Sequence, residues 1–172
     1  MTVSHEQHKT HAQEQLPDPV RCGIITVSDS RTAEIDTSGK LVRSLLEQAG
    51  HMVMRLAIVP DDTAAITAQL QALIAEGCQV VVTNGGTGIA RRDVTFEAVD
   101  GLLEKRLPGF GELFRMLSYQ EIGTPAMLSR ATAGTYRQRL TFCLPRSSGA
   151  VRLAMEQLIL PELLHLVWEL QR

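Results

Sequence analysis

The apolar run Val80-Val81-Val82-Thr83 breaks at Asn84 into Gly85-Gly86-Thr87-Gly88, and Arg91-Arg92-Asp93 follow closely. Glycines lack a Cβ, so their backbone N–H groups can approach an anion and their φ can turn positive. Between a buried strand and a helix N-terminus, such a turn forms a phosphate cradle. A strand-to-helix turn holding no ligand would use the same residues, so the glycines alone leave both readings open. Arg31, Arg91 and Arg92 add cations that suit phosphate oxygens. Asp61 and Asp93 would repel a phosphate unless a hard cation intervened. Mg²⁺ fits, because it takes one or two carboxylates together with substrate phosphates. Helix N-capping is the other duty open to Asp61, Asp62 and Asp93, and it is the one expected of Asp62.

These residues matter only if the chain gathers them. Short apolar runs at Cys22–Val27, Met52–Val59 and Val80–Val82 alternate with helical patterns at Ser38–Ala49, Thr63–Glu76 and from Asp93 or Thr95 through Leu103. Phe110–Tyr119 reads as a further helix. Ser129–Thr135 and Leu140–Leu144 read as a hairpin, and Gly149–Leu158 and Pro161–Gln171 as two closing helices. The order predicts an α/β three-layer sandwich whose sheet is mostly parallel with one antiparallel strand. In such sheets ligands bind beyond the carboxyl ends of the strands. The loops that meet there begin at Ser28-Asp29, Pro60-Asp61, the glycine turn and Pro145-Arg146-Ser147-Ser148. They contain no histidine, so a serine triad is unsupported. A phosphate monoester, already ionised near neutral pH with a second pKa of about 6, would need no base.

The 172 residues are 44% apolar with a net charge of −2, enough for one domain and no general attraction to nucleic acid or anionic membranes. No apolar run reaches spanning length, and a cytoplasmic setting is expected. Cys22, Cys78 and Cys143 lack metal spacing and read as small buried hydrophobes. Met1 to Pro19 form a polar tail, expected to be mobile, in which His5, His8 and His11 would need a helix to share a metal. Residues 20–172 are expected to be the folded domain. The terminal segment Leu158–Leu170 carries more apolar side chains than one core face should need, which predicts a homo-oligomer.

Thr83-Asn84-Gly85-Gly86-Thr87-Gly88 with Arg91-Arg92-Asp93-Val94-Thr95, Pro108-Gly109-Phe110-Gly111-Glu112 and Ser129-Arg130-Ala131 resembles the MoaB/Mog family of molybdenum cofactor biosynthesis proteins. Phe114-Arg115-Met116-Leu117-Ser118 and Glu121-Ile122-Gly123-Thr124 are closer to the MoaB branch. The similarity runs from Arg21 to Leu163. It implies a molybdopterin-binding-domain fold and Mg²⁺-dependent adenylylation of molybdopterin by ATP, with release of pyrophosphate. A non-catalytic pterin or nucleotide carrier, or an assembly protein of the same pathway, is the alternative. By resemblance, Asp61 and Asp93 are the catalytic and metal-holding acids. Gly85, Gly86, Thr87 and Gly88 form the phosphate loop, and Ser28, Asp29, Ser147 and Ser148 fall in matching loops; Arg91 is counted among the ligand contacts for its charge beside the turn, not by resemblance. The resemblance further implies a trimer or hexamer and contacts with other proteins of the pathway. One segment departs: where the family often has Leu-Pro-Gly-(Ser/Asn)-Pro-Lys, this chain has Leu144-Pro145-Arg146-Ser147-Ser148-Gly149. Arg146 replaces a glycine, so a positive φ there would be costly unless the loop reshapes. Gly149 stands where the family has a lysine.

Overall fold

The computed structural model describes residues 19–30 and 32–172; His5, His8, His11 and Arg31 lie outside them. Six strands form one sheet in the order β2-β1-β3-β6-β5-β4. They are β1 (Arg21–Val27), β2 (Met52–Val59), β3 (Val80–Asn84), β4 (Lys105–Arg106), β5 (Thr132–Tyr136) and β6 (Arg139–Leu144). β1 runs parallel to β2 and β3, and β3 parallel to β6. β5 is antiparallel to both β6 and β4, so it alone opposes the common direction. The expected single reversed strand is therefore present.

Strand alternation builds two cores. Cys22 and Ile24 of β1, Val80 and Val82 of β3, and Leu140, Phe142 and Leu144 of β6 face one side. There they meet α1 (Thr37–Gln48), α4 (Pro108–Ile122), α5 (Ser148–Ala154) and α6 (Leu160–Gln171). Ile25, Val27, Val81 and Cys143 face the other side, against α2 (Thr63–Ala75) and α3 (Thr95–Asp100). All three cysteines are buried, and burial pushes the thiols of Cys22 and Cys143 up to about 12.

Three sequence expectations are corrected. The third helix was expected to run through Leu103 but stops at Asp100, where Gly101 follows as its C-cap. Lys105–Arg106 adds a sixth strand, admitted by Gly134, since a Cβ there would stand 2.2 Å from the Lys105 carbonyl oxygen. The two closing helices are one continuous rod: α5 passes into a π-helical turn at Met155–Ile159 and then into α6. In that turn the Leu160 N–H donates to the Met155 carbonyl, five residues back. The wider turn lets Pro161, which has no N–H to give, follow without a break. Ile159, Leu163 and Val167 are consequently buried, and Leu158, Leu160, Leu164, Leu166 and Leu170 pack half-buried against the same core. The surplus apolar surface expected on this segment is largely used within the subunit.

Candidate functional site

The parallel register sets the ends of four strands side by side: Val27 beside Val59, Thr26 beside Asn84, and Asn84 beside Leu144. The loops leaving them share one rim. Ser28 donates its N–H to the Val59 carbonyl at 2.9 Å, and Gly85 donates to Leu144 at 3.1 Å.

Asp61 joins three of these loops. Its N–H donates to Asp29 Oδ1 at 2.9 Å, and its own Oδ1 accepts from the Val94 N–H at 3.2 Å. Asp93 Oδ2 accepts from the Ala90 N–H at 3.0 Å. Among the described residues, each carboxylate thus keeps one oxygen without a backbone donor. Partial withdrawal from water raises the Asp61 pKa; the Val94 N–H opposes this, Asp93 and Asp29 add repulsion, and Arg146 pulls it back. Asp62 is the N-cap of α2, accepting from the Ala65 N–H at 2.8 Å, the duty expected of it.

The glycine turn fits against these acids because it lacks side chains. A Cβ on Gly86, whose φ is +62°, would fall 2.1 Å from Thr95 Oγ1 and 2.6 Å from Asp61 Oδ1. On Gly88 it would fall 2.5 Å from Asp93 Oδ2. Among the described residues the N–H groups of Gly86, Thr87 and Gly88 have no acceptor. A cavity of about 260 Å³ opens over the turn, walled by Asp93, Leu128, Ser129, Pro145 and Arg146 beside the glycines. Among the described residues, Thr95 Oγ1 is buried beneath the turn without a hydrogen-bond partner.

Other predicted residues lie around this centre. Ser28 is buried and Asp29 exposed at the end of β1. Ser147 is the N-cap of α5, its Oγ accepting from the Ala150 N–H at 3.2 Å, and Ser148 is exposed beside it. Arg91 is exposed and is not part of the cavity wall. Arg146 does line the cavity, half-buried, and it is not among the residues with positive φ; among the described residues the non-glycine ones are Arg137 and Gln138. Arg146 thus carries no positive-φ strain in this loop and brings a cation to the site.

Other contributors were not predicted. Pro125 and Leu128, in a 3₁₀ turn at Thr124–Leu128, form part of the cavity wall. Arg130, two residues before β5, reaches to the carbonyls of Thr87 and Gly88. Among the described residues no three His, Cys, Asp or Glu side chains gather as a metal cage. A hard cation here would rest on the two free carboxylate oxygens of Asp61 and Asp93, with ligand oxygens and water completing its shell. The donor chemistry fits Mg²⁺. No described helix is long and apolar enough to cross a membrane.

Residues 23–165 match the family described as a probable molybdopterin binding domain. A Bacillus cereus protein, molybdenum cofactor biosynthesis protein B, is 55% identical over 168 residues, covering 95% of this chain and 98% of that protein. The Bacillus subtilis protein of the same name is 52% identical and covers 99% of both. A crystal structure of molybdenum cofactor biosynthesis protein B superposes with a TM-score of 0.88 at 56% identity, covering 92% of this chain and 99% of that one. The tungsten cofactor synthesizing protein MoaB from Pyrococcus furiosus gives 0.81 at 38% identity, covering 91% and 99%.

Proposed function

From the premise that this chain belongs to the molybdopterin-binding-domain family of molybdenum cofactor biosynthesis proteins, we propose that it binds molybdopterin and adenylylates it with Mg²⁺ and ATP. The observation that carries this reading is the meeting of an anion-ready turn, Gly86-Thr87-Gly88, with the two carboxylates Asp61 and Asp93. Donors without carboxylates would suit any anion. Donors with two acids suit an anion that arrives with a divalent cation.

In the proposed reaction a terminal phosphate oxygen of the pterin bonds to the α-phosphorus of ATP. The bond from that phosphorus to the bridging oxygen breaks, and pyrophosphate leaves with the electron pair. The nucleophile is already ionised, so the absence of a histidine from the rim loops is no obstacle. Bound Mg²⁺ would supply charge neutralisation for the phosphates between Asp61 and Asp93. The backbone N–H groups of the turn hold phosphate oxygens in place before charge shifts, which is where positioning lowers a barrier. Arg146 adds a guanidinium able to follow the leaving group. Ser28, Asp29, Ser147, Ser148 and Arg91 form the outer ring of the site, shaping the loops or meeting the parts of the ligand outside the cavity.

The purified protein given molybdopterin, ATP and Mg²⁺ should release pyrophosphate and form adenylylated pterin. The replacement of the family's glycine and lysine by Arg146 and Gly149 favours one other reading, a carrier that binds without chemistry. Calorimetric binding of pterin or nucleotide with no pyrophosphate in the same preparation would assign that role instead.

A further inference from the structure

Arg130 makes a set of contacts that the proposed reaction does not itself require. Its Nε donates to the Thr87 carbonyl at 2.8 Å, and one terminal nitrogen donates to the Gly88 carbonyl at 2.6 Å. The other terminal nitrogen pairs with Glu97, to which the first also donates at 3.3 Å, and the guanidinium carbon lies 5.0 Å from the centre of the Phe96 ring. Both partners belong to α3, so the arginine is fixed from behind by a helix and reaches forward to the turn. The preceding carbonyl, that of Gly86, is taken by the Thr95 N–H at 2.9 Å.

Three successive carbonyls are therefore held on the protein side of the turn. A trans peptide is planar, with N–H and C=O pointing in opposite directions. Holding the carbonyls of Gly86, Thr87 and Gly88 thus turns the N–H groups of Thr87, Gly88 and Ile89 the other way. The glycines have little resistance to a flipped peptide plane, because positive and negative φ cost them nearly the same. A flip would present a carbonyl oxygen to the incoming anion in place of a donor. Something other than the glycines must choose between the two orientations.

We propose that Arg130 is a positioning residue that, by holding the Thr87 and Gly88 carbonyls, orients the Gly88 and Ile89 N–H groups to receive a phosphate. The inference rests on the proposed site, but it concerns anion capture and not group transfer. Its charge is largely answered by Glu97, so its part is played through the turn and not by direct attraction. Lysine can supply one charge and one donor direction but cannot span both carbonyls as the fork of a guanidinium does.

Inorganic pyrophosphate with Mg²⁺ serves as the probe, titrated calorimetrically at a temperature where each variant is fully folded. Arg130→Lys should weaken binding about tenfold and Arg130→Met more, while Glu97→Gln, which leaves the carbonyl bonds, should stay within about twofold. In the wild type, the amide resonances of Gly88 and Ile89 should shift on pyrophosphate addition, and Arg130→Lys should lose that shift. Loss of folding alone would not move these resonances selectively. Wild-type affinity and unchanged amide shifts in folded Arg130→Lys would overturn the proposal. Should neither Arg130 variant fold, the wild-type spectrum decides: amides of Gly88 and Ile89 that ignore pyrophosphate sink the idea, and amides that respond support it. Wild-type protein that binds pyrophosphate through these amides yet forms no adenylylated pterin sinks the reaction while leaving the role of Arg130 standing.

Discussion

The Asp61 carboxyl is held above the ordinary carboxylate range mainly by withdrawal from water, and Asp93 and Asp29 add to this. A raised pKa means that the folded state binds a proton that the unfolded state has released. This contribution to stability is present below the ordinary carboxylate value and is lost as pH rises through the raised one. Asp61→Asn keeps an oxygen for the Val94 N–H and removes the charge, so at pH 7 its Tm should equal or exceed that of the wild type. The difference should vanish in acid. Turnover should fall about a hundredfold or more, since a metal-holding charge is worth several kcal/mol to phosphoryl transfer. Full activity in Asp61→Asn would remove the metal assignment. Gly86→Ala gives the opposite pairing. Its methyl would meet Thr95 Oγ1 and Asp61 at a positive φ, so stability should drop by about 1–3 kcal/mol in urea titrations, together with ligand binding. These residues were visible in the sequence because glycine and aspartate mark a turn through their own chemistry. The role of Arg130 is not legible in its motif, because its partners lie 43 and 42 positions away in sequence and only the fold joins them.

Beneath the rim, one element fixes the loop after β1. Asp36, buried, caps α1 by accepting from the Gly39 N–H at 2.9 Å, and it also accepts from Thr26 Oγ1 at 2.7 Å. Thr26 in turn accepts from Asn84 Nδ2 at 3.1 Å, tying the ends of β1 and β3 to the helix. Asp36→Ala removes a cap and leaves the Thr26 hydroxyl without its acceptor. The expected loss is about 2–3 kcal/mol in denaturant unfolding, with Asp36→Asn losing less. A loss below about 0.5 kcal/mol would show that the cap is not a support of the rim. At this scale the sequence was informative where periodicity or a stop residue was strong: the apolar strands and α1 and α2 stand close to where they were read. β4 was hidden because Lys105 and Arg106 are exposed and join the sheet by backbone pairing alone. The hairpin turn at Arg137–Gln138 has positive φ at both residues, 48° and 57°, without the glycine or asparagine that advertises such a turn. Pro161 suggested a break, and the π turn that absorbs it has no marker in a single sequence.

Self-association was expected from the C-terminal segment, yet the packing moves the argument to another face. Leu113, Met116, Tyr119 and Ile122, three residues apart along α4, are 47%, 50%, 60% and 55% exposed, and Met127 and Leu128 beyond the helix are 79% and 55% exposed. Burying one large apolar side chain is worth about 1.5–3 kcal/mol, so a contiguous stripe of this size favours a partner surface. A depression of about 420 Å³ lined by Met116, Tyr119, Ala126 and Met127 opens on it. The same 3₁₀ turn supplies Pro125 and Leu128 to the candidate site, so a second copy seated on this face would also buttress the wall of the ligand cavity. Sedimentation at micromolar concentration should show an oligomer, and Met116→Glu combined with Met127→Glu should shift it toward monomer. Linkage then requires a second effect: if assembly holds the 3₁₀ turn in its ligand-binding position, ligand must favour assembly to the same degree. Pyrophosphate with Mg²⁺ should therefore move the double variant back toward the oligomer, and its affinity should rise with protein concentration. A wild-type monomer would refute the interface, whereas an oligomer whose ligand affinity ignores concentration would separate assembly from the site.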